Sequence, residues 1–265
     1  MTAERSTGNI VNNSNHTKNN SEMDEANLTQ SAAEPITPPQ GAKMSGCYTC
    51  LVEYDHKPYS ITWNGSMNYP DLTKFPTLDD VAVSPESQSP EMAAIWRDSD
   101  LVDFGSFASI RRTKQNTGHD IFPIVKLSHP GQQSTELIQH EFNMLAYLAT
   151  LGLPVPEFDP HPVMDGIVMC GYRMKELFKI DTSEFHSRRE DIKDALRRFH
   201  LAGICHGDIS PSNIMKDNKQ NIVFIDFSFA GQIGSPVPST IPGWVYLDGV
   251  FSAHKDSEAL KKHNP

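Results

Sequence analysis

The sequence is poor in cysteine, in cationic relative to acidic side chains, and in long apolar runs. Its 265 residues include four cysteines, and 33 Asp and Glu outnumber 23 Lys and Arg, which gives a net charge of −10. An acidic surface does not attract nucleic acids or anionic lipids, so we expect neither a nucleic-acid nor a membrane partner. No apolar run approaches the roughly 18 to 20 residues needed to cross a bilayer.

The cysteines give little support for a metal or disulfide site. Cys47 and Cys50 form a single C-x-x-C, and Cys170 and Cys205 lie far from it. A structural zinc site needs a second ligand pair, so a metal-binding adaptor built on Cys47 and Cys50 is only a distant alternative. The chain opens on the polar stretch MTAERSTGN and not on a basic, apolar leader. This favours an intracellular protein, cytoplasmic or nuclear, with reduced thiols.

The composition changes along the chain and suggests four segments. Residues 1–45 are rich in Asn, Ser, Thr and Glu and end in the proline-rich AAEPITPPQGAK, which predicts a disordered tail. Residues 46–95 are expected to form an N-terminal extension with a β-hairpin. We place its turn at Asn64-Gly65, because Asn-Gly between β-prone runs is a strong hairpin signal.

From residue 96 onward the pattern becomes regular. It predicts three strands within 100–127, broken at Gly105-Ser106 and turned at 116–118. Helices at 136–152 and 189–203, each ended by a glycine, flank a β run at 166–177. The second helix has an apolar face at helical spacing, formed by Ile192, Ala195, Leu196 and Phe199. A β-hairpin follows across NIMKDNKQNIVFIDF.

The stretch CHGDISPSNIMKDNKQNIVFIDFSFAG, residues 205–231, places two carboxylates and an amide at fixed distances. Asp208 and Asn213 are five residues apart, and the predicted hairpin brings Asp226 back beside Asn213. Phosphoryl transfer needs a base that orients the attacking hydroxyl and hard oxygen ligands for a divalent metal. Asp208 fits the role of the base, and Asn213 and Asp226 fit that of Mg²⁺ ligands. Taken alone, Asp226 could equally end a strand and cap a turn.

Two charged residues lie where the predicted elements should be apolar. Lys126 stands in the apolar strand 124–127, and Glu141 lies inside the apolar stripe of the helix at 136–152. Buried charges are costly unless they are paired, so we predict an ion pair between them. The pair would hold Lys126 toward the α and β phosphates of a nucleotide. The alternatives are a lysine that reaches the surface and a glutamate at the rim; Glu136, at the helix start, is a weaker partner.

The stretch DFGSFAS, residues 103–109, is the candidate phosphate-binding loop. It keeps one glycine, Gly105, followed by the small residues Ser106, Ala108 and Ser109. Small residues let backbone N–H groups approach phosphate. Gly105 precedes Lys126 by 21 residues, a distance that suits a strand-turn-strand excursion, although one glycine in a β-turn is ordinary on its own.

Together these residues resemble the protein-kinase-like superfamily. H-x-D-x₄-N followed by I-D-F is the pattern of the kinase catalytic and metal-binding loops. HGDISPSN has the His-Gly-Asp form of small atypical members: the aminoglycoside phosphotransferases, the KEOPS-associated kinase and short kinase-like proteins of filamentous fungi. The resemblance covers about residues 96–231.

The resemblance implies an α+β, two-lobed protein-kinase-like fold. An antiparallel β N-lobe with one helix would span 96–177, and a shortened, mainly helical C-lobe would span 178–265. ATP and Mg²⁺ are the implied cofactors. The implied adenine-binding hinge lies at 174–177, where Glu176 and Leu177 would bind through backbone atoms.

The sequence departs from the conventional kinase pattern in three places. His206-Gly207-Asp208 lacks the arginine that reads an activation-loop phosphate, so we expect no regulation of that kind. Ser228 replaces the glycine after Asp226-Phe227, which should restrict flexibility without removing the metal carboxylate. Only 39 residues follow Asp226, too few for the usual peptide-binding helices. Asp256, in a predicted short helix, is the candidate for the buried aspartate that braces the catalytic loop in kinases, or it simply stands near a helix start.

These features predict a phosphotransferase that moves the γ-phosphate of ATP to a hydroxyl. By superfamily the acceptor is a Ser or Thr of a protein, and a small-molecule hydroxyl is a close alternative. The short C-lobe raises two further hypotheses: a protein partner covers it, or the chain is an inactive pseudokinase that serves as an interaction module. Retention of Lys126, Asp208, Asn213 and Asp226 disfavours the pseudokinase, because a scaffold needs none of them.

Overall fold

The computed structural model describes residues 46–65, 71, 74–79, 81–114 and 121–262 of the chain. The tail predicted to be disordered, 1–45, and the turn predicted at 116–118 lie outside these ranges. Among the described helices, none combines the length and the apolar character that a bilayer crossing requires.

The N-terminal extension forms a three-stranded antiparallel sheet in the order β1-β2-β3, with strands β1 (Gly46–Tyr54), β2 (Lys57–Gly65) and β3 (Ala82–Pro85). The predicted hairpin is present, but its turn lies at Asp55 and His56, with φ of 50° and 54°, and not at Asn64-Gly65. The reason is burial. Side chains of β1 and β2, including Val52, Ile61 and Trp63, share one core, and a turn at Asn64 would take Ile61 and Trp63 out of the strand pairing that buries them.

The position of this turn leads to a prediction about the free energy of unfolding. Two adjacent non-glycine residues in the left-handed region are strained, and Asn-Gly is the pair that such two-residue hairpin turns favour. Replacing Asp55→Asn together with His56→Gly is therefore expected to raise the free energy of unfolding by about 1 kcal/mol, measured by chemical denaturation. Asn64→Ala is the control, because the exposed strand end should tolerate it. Destabilisation by Asn64→Ala would instead place the turn there.

The N-lobe is built on a five-stranded antiparallel sheet. Its strands are β4 (Ser99–Phe104), β5 (Ala108–Thr113), β6 (Ile124–Ser128), β7 (Val163–Asp165) and β8 (Val168–Met174), and they lie in the order β4-β5-β6-β8-β7. Helix α1 spans Pro90–Arg97, and helix α2 spans Gln132–Thr150 and packs on β6 and β8. Helix α2 begins four residues earlier than predicted and ends two residues earlier, at Thr150, just before Gly152 with its φ of +64°.

A buried ion pair joins the N-terminal sheet to this lobe. Arg111 of β5 is completely buried, and its guanidinium donates two hydrogen bonds of 2.8 Å to the carboxylate of Glu53 in β1. It also donates to Ser99 Oγ at 2.8 Å and lies 4.1 Å from the centre of the Trp96 ring. A two-pronged pair of this kind fixes orientation as well as distance, so the extension is docked in one arrangement.

The C-lobe is arranged around helix α4, Arg189–Leu201, whose predicted apolar face of Ile192, Ala195, Leu196 and Phe199 is buried. Its other helical elements are α3 (Thr182–Ser187), a 3₁₀ turn (Pro211–Asn213) and α5 (Ala253–Lys262). Its strands are β9 (Phe178–Lys179), β10 (Ile204–Cys205), β11 (Ile214–Lys216), β12 (Ile222–Phe224) and β13 (Gly231–Gln232). The predicted hairpin is present as β11 and β12, with β9 as a third strand, and β10 pairs with β13.

The two lobes share packing around α2. Ile138, Leu145 and Leu148 of α2 belong to the same core cluster as residues of α4 and β12. On its other side, Leu137 packs in a cluster with side chains that follow β13: Ile241, Val245, Tyr246 and Phe251. Gln133 Nε2 also donates to the carbonyl of Thr240 at 3.3 Å. The molecule thus has the predicted α+β two-lobed architecture, with α2 held between the lobes.

Candidate active site

A cleft of about 430 Å³ lies between the lobes. Seven of the predicted site residues line it: Gly105, Ser106, Ala108 and Lys126 from the N-lobe, and Asp208, Asn213 and Asp226 from the C-lobe. The cleft is therefore the place where the two halves of the predicted site meet.

Lys126 is held between two carboxylates. Its Nζ lies 2.7 Å from Glu141 Oε2 and 3.1 Å from Asp226 Oδ1, so the ion pair predicted from the sequence is present. Burial alone would lower the pKa of Lys126, but the charges of Asp226 and Glu141 outweigh it and hold that pKa above its ordinary value. The ammonium stays protonated and points from β6 into the cleft.

Glu141 is fully buried on α2 and accepts hydrogen bonds from four groups. Besides Lys126, the donors are Tyr172 Oη at 3.0 Å, the backbone N–H of Phe227 at 3.2 Å and Ser228 Oγ at 3.0 Å. The sequence predicted only a loss of flexibility from Ser228. Its hydroxyl in fact ties the residue after Asp226-Phe227 to α2, which a glycine could not do.

The catalytic-loop candidates are joined directly. Asn213, in the 3₁₀ turn, donates from Nδ2 to the carbonyl of Asp208 at 2.8 Å and to Asp208 Oδ2 at 3.0 Å. Both bonds use the amide nitrogen, so the amide oxygen of Asn213 remains available for a cation. A carbonyl-type oxygen beside the carboxylate of Asp226 is the donor set that Mg²⁺ takes in proteins, and these residues therefore fit that ion.

Two carboxyl groups of the cleft, those of Asp208 and Asp226, have opposite pKa shifts. Burial raises the pKa of Asp208, and the negative charge of Asp226 raises it further. Burial opposes ionisation of Asp226 as well, but Lys126 outweighs it and holds the pKa of Asp226 below its ordinary value. Paired groups pushed apart in this way are suited to different tasks: Asp208 takes up a proton more readily, and Asp226 keeps its charge.

The backbone holds Asp226 in a rare conformation. Its φ is +65°, in the left-handed region, directly after the short strand β12. The preceding residue is fixed from both sides, since Ile225 N donates to the carbonyl of Asn213 at 3.0 Å and Ile225 O bonds to His206 Nε2 at 2.9 Å. Strained backbone that its neighbours impose is typical of functional sites.

Asp256 of α5 holds the backbone of the loop that carries Asp208. It is buried, and its carboxylate accepts the backbone N–H of His206 at 2.7 Å and that of Gly207 at 2.8 Å. His200 Nε2 lies 3.0 Å from the same carboxylate. These are the contacts expected of the bracing aspartate that the sequence resemblance suggested.

Gly207 explains the His-Gly-Asp form of the loop. Its φ is +84°, and a Cβ there would lie 2.3 Å from Tyr246 Oη and 2.5 Å from the carbonyl oxygen of Phe229. Neither the conformation nor the space admits a side chain, so an arginine between His206 and Asp208 is sterically excluded.

Four of the predicted residues differ from the expectation in their position or their packing. Ser109 is buried in β5 and does not line the cleft, because strand side chains alternate and its neighbours Ala108 and Ile110 face it. Glu176 and Leu177 do not line it either, and the Glu176 carboxylate pairs with Arg112. A Cβ at Gly105 would meet only the Ala108 carbonyl, at 3.9 Å, so the packing of the protein itself does not require this glycine.

The three cysteines whose side chains are described are all buried. Burial raises the thiol pKa to about 11 for Cys50 and Cys205 and to about 12 for Cys170. Metal binding and redox chemistry use the thiolate, which burial disfavours at these positions.

The sequence did not predict that an exposed tryptophan, Trp244, lies on the wall of the cleft. Trp244 is 56% exposed, packs edge-to-face on Phe229 with ring centres 5.8 Å apart, and has Lys255 Nζ 5.9 Å from its ring centre. It lies in an irregular segment, where no periodic pattern marks it. The sequence feature that could have marked Trp244 as a site residue is its place in a polar, proline-rich stretch.

The comparisons with known proteins agree with this geometry. The family description "RIO domain" matches residues 103–237, just over half of the chain, and this span includes the candidate phosphate loop, Lys126, Asp208, Asn213 and Asp226. The cyclin-dependent kinase G1 of Arabidopsis thaliana is 36% identical over 81 residues, which are 31% of this chain and 12% of that protein. The chain thus spans about an eighth of the length of this relative. The extent of the RIO domain match shows that the chain belongs to the RIO domain family, within the atypical branch of protein-kinase-like proteins.

Proposed function

We propose that the chain is an ATP- and Mg²⁺-dependent phosphotransferase that uses the cleft between the lobes. The observation that carries the proposal is the arrangement of Lys126 between Glu141 and Asp226, in the same cleft as the linked pair Asp208 and Asn213. A scaffold would not need a buried ammonium, two carboxylates with opposed pKa shifts and an amide oxygen around one cavity.

Each residue has a distinct role in this proposal. Lys126, oriented by Glu141, holds the α and β phosphates as a fixed positive charge. Asn213 and Asp226 hold the metal through oxygen atoms. Asp208 accepts a hydrogen bond from the acceptor hydroxyl and takes its proton as transfer proceeds, a role that its raised pKa suits. Bound Mg²⁺·ATP supplies the transferable phosphoryl group and the charge that stabilises the leaving group.

The acceptor is proposed to be a Ser or Thr hydroxyl of a protein, which the resemblance to the protein-kinase-like superfamily favours. A small-molecule hydroxyl is the second candidate, and one observation favours it. The exposed ring of Trp244 lies on the wall of the cleft that also holds Asp208, and a flat aromatic face is suited to stacking against a compact ring-shaped acceptor.

The proposal predicts nucleotide binding and turnover that depend on Mg²⁺. ATP should raise the unfolding temperature of the purified full chain more with Mg²⁺ than with EDTA, with about 2.7 kcal/mol of stabilisation at a concentration 100 times the Kd. ADP formation should likewise require Mg²⁺. The control is Asp194→Asn, an exposed position on α4, which should leave both results unchanged. Absence of any thermal shift, together with ADP formation no greater than in EDTA, would contradict the proposal.

A further inference from the structure

A second cavity, of about 230 Å³, lies between α4 and α5. Its floor is apolar, formed by the buried Leu196 and Leu260. Its walls carry four cationic side chains, Arg189, Lys193, Arg197 and Lys261. Such a concentration of positive charge is unexpected in a chain with a net charge of −10.

Helix stability accounts for only part of the stripe of cations on α4, namely Lys193, which pairs with Glu190. Arg189, Lys193 and Arg197 follow one another at intervals of four residues, so they share one face of the helix. Like charges at this spacing destabilise a helix, and a cation in the first turn opposes the helix dipole. Lys261 is different, because a cation in the last turn of α5 is favourable in any case. The part of the stripe that does not stabilise the helix is therefore available to a ligand.

Two of the four cations, Arg197 and Lys261, keep a charge that the described part of the chain does not neutralise. Lys193 pairs with Glu190 at 2.7 Å, and this hydrogen bond, with help from Arg189, lowers the pKa of Glu190. Within the described part of the chain, Arg197 and Lys261 make no side-chain hydrogen bond or ion pair. An anion in the cavity would meet both.

The same cavity touches the brace of the catalytic loop. His200 lines it and contacts Asp256 Oδ2 at 3.0 Å. Asp256 in turn accepts the backbone N–H groups of His206 and Gly207. A ligand that holds His200 in place would therefore act on the backbone next to Asp208 through one intervening group, the carboxylate of Asp256.

We propose that the cavity between α4 and α5 binds a phosphate-class oxyanion, and that its occupancy steadies the Asp256 brace of the catalytic loop. Guanidinium groups match the oxygen geometry of phosphate. The volume falls below the roughly 300–1,000 Å³ of pockets for drug-sized ligands, which favours a compact ion or a single phosphate group. The binding site stands independently of the proposed phosphotransfer, and only its influence on Asp208 rests on that function.

Binding is tested by calorimetric titration of the full chain with inorganic phosphate, pyrophosphate and glycerol phosphate, without ATP and at constant ionic strength set by chloride. Wild type should bind at least one of them, and the double substitution Lys193→Gln with Arg197→Gln should weaken that binding at least tenfold. Arg97→Gln, a change of the same kind at an exposed position of the N-lobe, should not. Preference for the ions identifies a free oxyanion as the ligand, and equal binding of glycerol phosphate identifies a phosphate monoester.

A second variant separates this cavity from the cleft. Lys126→Met removes the cation of the cleft and should leave phosphate binding within twofold of wild type. Binding lost in Lys126→Met but kept in the double variant would place the anion in the cleft and overturn the proposal. Absence of binding at millimolar concentrations would overturn it too.

The link to the catalytic loop is measured by hydrogen exchange at the backbone N–H groups of His206 and Gly207. Phosphate should slow exchange at both in wild type, and the double variant should lose the effect. Phosphate binding without slower exchange would refute the coupling. Because no ATP is present, these results do not depend on whether the chain transfers phosphate.

Discussion

Replacing Asp226 with asparagine is expected to lower Mg²⁺-dependent ATP turnover by about 10²–10³-fold. The substitution removes the charged metal ligand while keeping the shape of the side chain. The protein should still fold, because Lys126 keeps its partner Glu141 at 2.7 Å. The variant should also lose the extra thermal stabilisation that Mg²⁺ adds to ATP, since the metal contact is the part removed.

Asp208→Asn is the matched comparison for this result. It should lower turnover by about 10²–10⁴-fold, the usual effect of losing a general base, while Mg²⁺-dependent ATP binding stays near wild type. The two aspartates thus predict different binding results for similar losses of activity. Wild-type turnover no greater than that of either variant would show that the cleft is not an active phosphotransfer site.

Replacing Gly207 with alanine is expected to lower the free energy of unfolding by at least about 3 kcal/mol. Two costs combine at this position. The backbone is in the left-handed region at φ of +84°, and the new Cβ would lie 2.5 Å from the carbonyl oxygen of Phe229, which cannot move without disturbing the chain after Asp226. Gly207→Arg should be worse, although it restores the His-Arg-Asp form of conventional kinases.

Gly234 provides the control for this prediction. Its φ of +85° is nearly the same, but a Cβ there would meet nothing within 4 Å. Gly234→Ala should therefore cost only the backbone strain, roughly 1–2 kcal/mol. The difference between the two variants, read from denaturant midpoints at equal slope, measures the steric part alone. Equal losses at Gly207 and Gly234 would refute the steric explanation.

The sequence predicted the features that depend on local spacing. The apolar face of α4 follows from helical periodicity, and the end of α2 close to Gly152 follows from glycine placement. The ion pair of Lys126 and Glu141 could be predicted because each charge is unusual in its own apolar element. Pairing the two charges accounts for both. In these cases the physical reason lies within a few residues of the position concerned.

The features that were missed or misplaced depend on distant parts of the chain. The hairpin turn was predicted at Asn64-Gly65 because turn chemistry was judged without the core that Ile61 and Trp63 share. The pair of Arg111 with Glu53 joins residues 58 positions apart. One signal for it existed: Arg111 and Arg112 are adjacent in a strand, so one of the two must face the interior.

The role of Ser228 could not be predicted for a similar reason. Its hydroxyl meets Glu141, which is 87 residues earlier in the chain. The motif alone shows that a glycine is missing, and it says nothing of what the serine contacts. Trp244 lies in an irregular segment whose path is set by packing on α2, so its position on the cleft wall follows from the tertiary fold alone.

Helix α2 is held by contacts to both lobes, and this affects how a compound could bind in the cleft. A compound that binds by displacing this helix must separate Glu141 from four donors and remove Leu137 from its cluster, and each buried group left unpaired costs about 1–3 kcal/mol. A compound shaped to the cleft as it stands avoids that loss. Such a compound can contact the walls of the cleft, where the rings of Phe104 and Trp244 are exposed.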